Sequence, residues 1–171
     1  MPFDGIGLDF LEGKETMNLI EKYGFPQDKL LFAGLVNGKN IWRNHYDRTL
    51  KTLEELKKKN ISAVLSTSCS LLHVPYTLKH EHSLSQDCLS HFAFAEEKLG
   101  ELHELGILAE LDDYTSEKAY IDNQQLFTTK RDCENEQVKQ RLESVGGNDY
   151  IRLPKRSERQ SRQKMVFNLP E

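Results

Sequence analysis

Three apolar segments in the first 70 residues have the pattern expected of β-strands. Gly5–Leu11 alternates apolar with small or polar residues, Leu30–Val36 is almost continuously apolar, and Ile61–Thr67 is rich in β-branched side chains. A continuous apolar run is typical of a strand in a parallel sheet that is covered on both faces. The sequence therefore predicts three strands of one parallel sheet.

Amphipathic segments separate these strands. Glu15–Lys22 is predicted to be a helix that ends at Gly24, and Trp42–Lys59 a longer helix with apolar residues at helical spacing. Strands that alternate with helices in this way indicate parallel βαβ units with right-handed crossovers. Three such strands do not close a barrel, so the sheet is expected to have open edges.

A long loop, Ser68–Glu81, precedes the strongest predicted helix. Ser83 and Gln86 are candidates for a capping box at its N-terminus. The apolar positions that would form its buried face are Cys88, Phe92, Ala95, Leu99 and Leu102.

The composition becomes more polar after about residue 112, which divides the chain into residues 1–111 and residues 112–171. The second part contains two predicted helices, Ser116–Phe127 and Glu134–Val145, and a basic segment, Arg152–Lys164. The predicted fold class is therefore α/β, with about three parallel βα units followed by a helical extension.

Charge and cysteine content limit the classes of partner. The net charge of −4 does not favour nucleic acid or an anionic membrane, and the basic segment lacks the interleaved aromatic residues of a base-stacking surface. No apolar run approaches the ~20 residues of a membrane span. Three widely separated cysteines, Cys69, Cys88 and Cys133, are typical of reduced thiols, so a cytoplasmic protein is expected.

Four segments resemble one enzyme family when they are taken together and in order. They are Gly7–Phe10, Gly34–Arg43, Ser66–Pro75 and Phe92–Lys98. Each is similar to a segment of the N-terminal domain of cobalamin-independent methionine synthase. That family has two face-to-face (β/α)8 barrels, so the resemblance implies a partial TIM barrel made of strands six to eight of the first barrel.

The same resemblance implies an activity and the molecules it involves. The family transfers a methyl group from 5-methyltetrahydropteroyl-polyglutamate, a folate, to homocysteine, and a zinc ion in the second barrel holds the homocysteine thiolate. No zinc ligand and no catalytic residue of the family maps onto this chain. We therefore expect the chain to need the remainder of the two-barrel enzyme as its partner and to be inactive alone.

The loop after the second predicted strand contains the first binding candidates, Asn37, Asn40 and Arg43. Their side chains can donate hydrogen bonds to a folate tail or to the facing barrel. A structural interpretation is favoured, in which Asn37 and Gly38 form a tight turn, Asn40 caps the next helix and Trp42 packs.

The loop after the third predicted strand contains Ser70 and His73, the other binding candidates. Cys69 and His73 are also the local candidates for a metal site. Two ligands do not make a zinc site, so a buried thiol and a hydrogen-bonded imidazole are the preferred interpretation. Two alternatives to an enzyme fragment stay open: a non-catalytic complementation subunit and a stand-alone folate-binding module.

Overall fold

The computed structural model describes residues 2–128, 135–151 and 155–167. The chain forms two compact units, Met1–Thr129 and Lys130–Glu171. The first unit contains the sheet and all the candidate site residues, and the described residues of the second include two α-helices.

A three-stranded parallel sheet organises the first unit. Its strands are β1 (Gly5–Asp9), β2 (Leu30–Val36) and β3 (Ala63–Thr67), in the spatial order β1-β2-β3. Leu31 of β2 lies opposite Ile6 of β1 and Ala63 of β3. The predicted α/β class with three parallel strands is confirmed.

Helices cover one face of the sheet. The first helix, α1 (Thr16–Tyr23), and the second, α2 (Tyr46–Lys58), pack on the face that presents Leu31, Ala33 and Leu35. The predicted end of α1 is confirmed, because Gly24 adopts a φ of 76° that favours glycine and donates its N–H to the carbonyl of Ile20.

The opposite face of the sheet carries apolar side chains that remain accessible. Leu30 and Phe32 of β2 and Val64 of β3 are each 42% exposed. On β1 this face has only glycine and aspartate, and the Phe32 ring lies over Gly5, where an added Cβ would come within 2.5 Å of it. The first unit is therefore an α/β layer with helices on one side.

The helix predicted to begin at Trp42 begins later. α2 starts at Tyr46, and Leu50 and Leu56, two of the apolar residues at helical spacing, are buried in it. The five residues before it form a non-helical segment, in which the N–H of Ala93 donates to the carbonyl of Ile41. This pairing with a distant segment replaces the first predicted turn of the helix.

The helix predicted after Ser83 is two helices. α3 (Gln86–Ser90) is short and is capped by Ser85, whose hydroxyl accepts from the N–H of Cys88, so the predicted Ser83–Gln86 box is wrong. α4 (Ala95–Ala109) begins after an extended segment, and Glu97 accepts from the N–H of Phe94 at its N-terminus.

The buried face of α4 also differs from the prediction. Leu99 is 57% exposed, whereas Leu105 and Leu108 are buried against Val36 and Leu50. The stripe that faces the sheet and α2 consists of Lys98, Glu101, Leu105 and Leu108. Two of its four positions are charged.

The last helix of the first unit is α5 (Lys118–Thr128), close to its predicted range, and it packs on α2. The predicted boundary after residue 111 concerns the barrel and its extension in the intact protein, and it stays a prediction.

The second unit contains the helices α6 (Glu136–Glu143) and α7 (Arg156–Phe167). Cys133 and Arg152 lie outside the described residues. No helix among the described residues is long and apolar enough to cross a membrane.

Candidate functional site

The candidate site lies at the carboxyl ends of β2 and β3, the edge at which parallel α/β sheets usually bind ligands. The first part of it is the segment Asn37–His45, here called the 37–45 loop. At its start, the Asn37 Oδ1 accepts hydrogen bonds from the N–H groups of Lys39 at 2.8 Å and Asn40 at 3.0 Å. The predicted tight turn at Asn37 and Gly38 is confirmed.

The loop after β3 lies directly against this turn. The N–H of Gly38 donates to the Ser68 hydroxyl at 3.2 Å, and an added Cβ at Gly38 would lie 2.5 Å from the Cys69 carbonyl oxygen. Only glycine permits this approach, because any side chain would push the two loops apart. The structure thereby brings together the two segments that contain the predicted candidates.

The candidates Ser70 and His73 are both exposed, and they lie just before and at the end of a short 3-10 turn, Leu71–His73. The Ser70 hydroxyl accepts from the N–H of Leu72 at 3.3 Å, so it caps this turn. The Cys69 thiol is partly buried and lies 3.7 Å from the Ser70 carbonyl oxygen. A role in ligand binding for Ser70 or His73 stays a prediction.

Asn40 does not cap α2, contrary to the structural interpretation. Its Oδ1 accepts from the N–H of Trp42 at 3.2 Å, within the 37–45 loop. Trp42 is 44% exposed, and its ring lies 5.1 Å from that of Phe92. Asn40 therefore stabilises the loop, and its role as a binding residue stays a prediction.

Asn44, which the sequence analysis did not single out, connects the 37–45 loop to the core. Its side-chain N–H donates to the Leu35 carbonyl at 2.8 Å, and its Oδ1 accepts from the Thr49 hydroxyl at 2.8 Å. Its backbone N–H donates to the Glu101 Oε1 at 2.9 Å, and its carbonyl accepts from Asn123 at 2.9 Å. All four groups are thereby paired.

Two charged residues of α4 complete the support of the loop. Lys98 is fully buried, and its Nζ donates to the Trp42 carbonyl at 3.0 Å. Glu101 is 1% exposed, and its Oε1 lies 3.8 Å from Nη1 of Arg43. We call Asn44, Lys98, Glu101 and Asn123 the polar cluster.

Burial dominates the electrostatics of the polar cluster. It raises the pKa of Glu101, although the Asn44 N–H and the cations Lys98 and Arg43 oppose it. The Glu101 Oε2 is buried and has no hydrogen-bond partner among the described residues. Burial lowers the pKa of Lys98, with Glu101 opposing the shift and Arg43 adding to it.

The raised pKa of Glu101 predicts a pH dependence of stability. A carboxyl group with a raised pKa in the folded state binds its proton more tightly there than in the unfolded chain. The contribution of Glu101 to stability is therefore fully present below the unfolded value of 4.5 and is lost as the pH rises through the folded pKa.

Urea unfolding of the chain and of Glu101→Gln between pH 4.5 and pH 8 would measure this contribution. We expect the difference, native minus variant, in the free energy of unfolding to increase as the pH falls. Taking the difference cancels the other carboxyl groups, whose contributions are common to both proteins. A difference that stays flat or decreases on acidification would contradict the expectation.

His45 lies at the end of the loop and precedes α2. Its ring stacks on that of Phe127 with a centroid distance of 4.3 Å, which links the loop to α5. Burial lowers its pKa, and Arg48 lowers it further. The uncharged imidazole is therefore favoured, as suits a ring that is stacked on an aromatic side chain.

The donor set for a zinc ion is incomplete in the described part of the chain. Among residues 2–128, 135–151 and 155–167, no group of three or more His, Cys, Asp or Glu side chains is arranged to hold a metal ion. Cys69 and His73 supply at most two ligands, and a zinc site needs three or four from the protein. No chemical step through zinc is therefore assigned to these residues.

Comparison with known proteins gives the same family as the sequence motifs. Residues 1–61 match the family model described as "Cobalamin-independent synthase, N-terminal domain". The 5-methyltetrahydropteroyltriglutamate–homocysteine methyltransferase of Lactococcus lactis subsp. cremoris strain SK11 is 49% identical over 170 residues. The protein of that name from Streptococcus gordonii strain Challis is 46% identical over 170 residues.

These matches cover 99% of this chain but only 22% of each relative, so the chain spans about a fifth of the length of the curated relatives it matches. The match to the family model begins at the first residue and includes β1, β2 and α2. The resemblance inferred from the four motifs is confirmed: the chain is related to the cobalamin-independent methionine synthases, through part of their N-terminal domain.

Proposed function

We propose that this chain forms the closing βα units of the N-terminal (β/α)8 barrel of a cobalamin-independent methionine synthase. In this role it supplies the 37–45 loop and the loop after β3 to an enzyme that transfers a methyl group from 5-methyltetrahydropteroyl-polyglutamate to homocysteine. The observation that carries the proposal is the 46–49% identity along 99% of the chain.

The one-sided sheet supports this role. In a closed (β/α)8 barrel the helices lie outside and the inner faces of the strands pack on one another. Leu31 and Ala33 pack on helices, whereas Leu30, Phe32 and Val64 on the other face remain accessible. These apolar side chains have the chemistry of a barrel interior that further strands would cover.

The isolated chain is proposed to be inactive. A thiol is a weak nucleophile at neutral pH, and activation by a metal requires ligands that the described residues do not assemble. The chain would therefore contribute shape and substrate contacts, and the zinc ligands would come from the rest of the enzyme.

A chimera tests the proposal. The segment of the L. lactis SK11 enzyme that matches this chain would be replaced by the 171 residues, and methyl transfer to homocysteine would be measured for the chimera and for the chain alone. We expect methyl transfer from the chimera and none from the chain. A folded but inactive chimera, a chimera that does not fold although the parent does, or transfer by the chain alone would contradict the proposal.

A further inference from the structure

Three residues of the 37–45 loop, Trp42 to Asn44, are held by groups that are distant in sequence. The Trp42 carbonyl accepts from Lys98, the Arg43 N–H donates to the His91 carbonyl at 2.9 Å, and the Asn44 N–H donates to Glu101. The backbone on both sides of Arg43 is thereby fixed, in part by an isolated antiparallel bridge between Trp42 and Phe92, although it lies outside the helices and named strands.

The Arg43 side chain differs from the groups that hold it. It is 32% exposed, whereas Lys98 and Glu101 are 0% and 1% exposed. Nη1 lies 3.8 Å from the Glu101 Oε1, a distance that orients the guanidinium without engaging all of its five N–H donors. A partly exposed guanidinium on a fixed backbone is suited to bind a carboxylate.

Charged groups of both signs surround the buried Glu101 carboxylate. Lys98 and Arg43 lower its pKa, whereas Glu104 raises it. Desolvation strengthens the field of such charges at the protein surface nearby. If positions 98 and 101 served stability alone, apolar residues would suffice there. Leu105 and Leu108, the next two positions of the same stripe, are such residues.

We propose that Lys98 and Glu101 are positioning residues, which hold the 37–45 loop and aim Arg43 at a carboxylate group of a substrate. The inference rests on the proposed function, since both the polyglutamate tail and homocysteine carry carboxylates. Lys98 acts on the backbone through the Trp42 carbonyl, and Glu101 acts on both the Asn44 N–H and the guanidinium of Arg43.

The first arm of the test measures the loop itself in the 171-residue chain. Lys98→Met keeps the length of the buried stem and removes the ammonium. We expect amide hydrogen exchange in residues 37–45 to be roughly tenfold faster, because a hydrogen bond to a charged group is lost. Glu110→Gln, an exposed change at the end of α4, is the control and is expected to leave exchange unchanged. Unchanged exchange in the Lys98 variant would overturn the holding role.

The second arm uses the active chimera and separates KM from kcat. Glu101→Gln retains an acceptor for the Asn44 N–H but removes the charge beside Arg43. We expect about a tenfold increase in KM for one substrate, with kcat changed less than about twofold. An increase for the folate assigns the carboxylate to its tail, and an increase for homocysteine assigns it to the amino acid.

A double-mutant cycle shows whether Glu101 acts through Arg43. Arg43→Gln is expected to raise the same KM, and adding Glu101→Gln to it is expected to have less than about a twofold further effect. Unchanged KM values, or two fully multiplicative effects, would overturn the positioning role. If the unsubstituted chimera is inactive, the proposed function fails, while the exchange arm still decides whether Lys98 holds the loop.

Discussion

Leu56→Ala is expected to lower the free energy of unfolding of the first unit by about 3 kcal/mol. Leu56 is fully buried near the end of α2, in the cluster that includes Leu31 and Leu35 of β2 and Ile20 of α1. The substitution leaves a cavity between the sheet and two helices. Alanine favours the helix, so the loss reports packing alone. Urea unfolding followed by circular dichroism would measure it.

The matched control is Leu99→Ala, in the interior of α4. Leu99 is 57% exposed, so the same change in chemistry removes little buried surface and is expected to alter stability by less than about 0.5 kcal/mol. Equal losses of unfolding free energy in the two variants would show that the buried stripe of α4 has been misassigned, or that α2 and α4 do not unfold together with the sheet.

Asn44→Leu is expected to lower the free energy of unfolding by about 2–3 kcal/mol. The leucine has a similar volume but cannot pair with the Leu35 carbonyl or with the Thr49 hydroxyl. Both groups would be left unpaired, and Thr49 is buried. Denaturant unfolding of the variant measures the loss, and proteolysis within residues 37–45 is expected to be faster.

Two further variants isolate the cause. Asn18→Ala removes one exposed hydrogen bond to Glu15 and is expected to cost less than about 0.5 kcal/mol. Thr49→Val in the Asn44→Leu background replaces the unpaired hydroxyl by a methyl group and is expected to recover part of the loss. No recovery would indicate that the loss comes from overpacking by the leucine.

The sheet could be predicted from sequence because its signal is local. Leu30–Val36 matches the observed β2 at both ends, and β1 and β3 lie within the predicted ranges. An almost continuous apolar run bounded by polar residues has few alternatives to a buried parallel strand. No local sequence pattern encodes the layer that would cover the other face of the sheet. The prediction of a barrel therefore depends on the family resemblance.

The buried face of α4 was predicted only in part: Leu102 packs against the core, but Lys98 and Glu101 were not among the predicted positions. The stripe Lys98, Glu101, Leu105 and Leu108 has the spacing of a core-facing helix surface, with steps of three and four residues. Leucine at position 99 was assigned to the core instead, and it is exposed. A charged residue within an otherwise apolar helical stripe is therefore the sequence signal that would have pointed to the polar cluster.

The start of α2 shows why the site itself was harder to predict. The apolar spacing within the helix was right, but the residues before Tyr46 are fixed by Lys98, Glu101 and Asn123, which lie more than 50 positions away. No property of the segment from Asn40 to His45 reveals these partners. The loops containing the candidates were predicted, whereas the groups that hold them became visible only in three dimensions.

The accessible apolar face of the sheet has a consequence for biosynthesis. β1 and β3 each present one edge without a strand partner among the described residues, and between them lie Leu30, Phe32 and Val64. Unpaired edges beside exposed apolar side chains are sites of aggregation. The yield of folded protein would therefore depend on how quickly the neighbouring strands or a chaperone reach this segment as it leaves the ribosome.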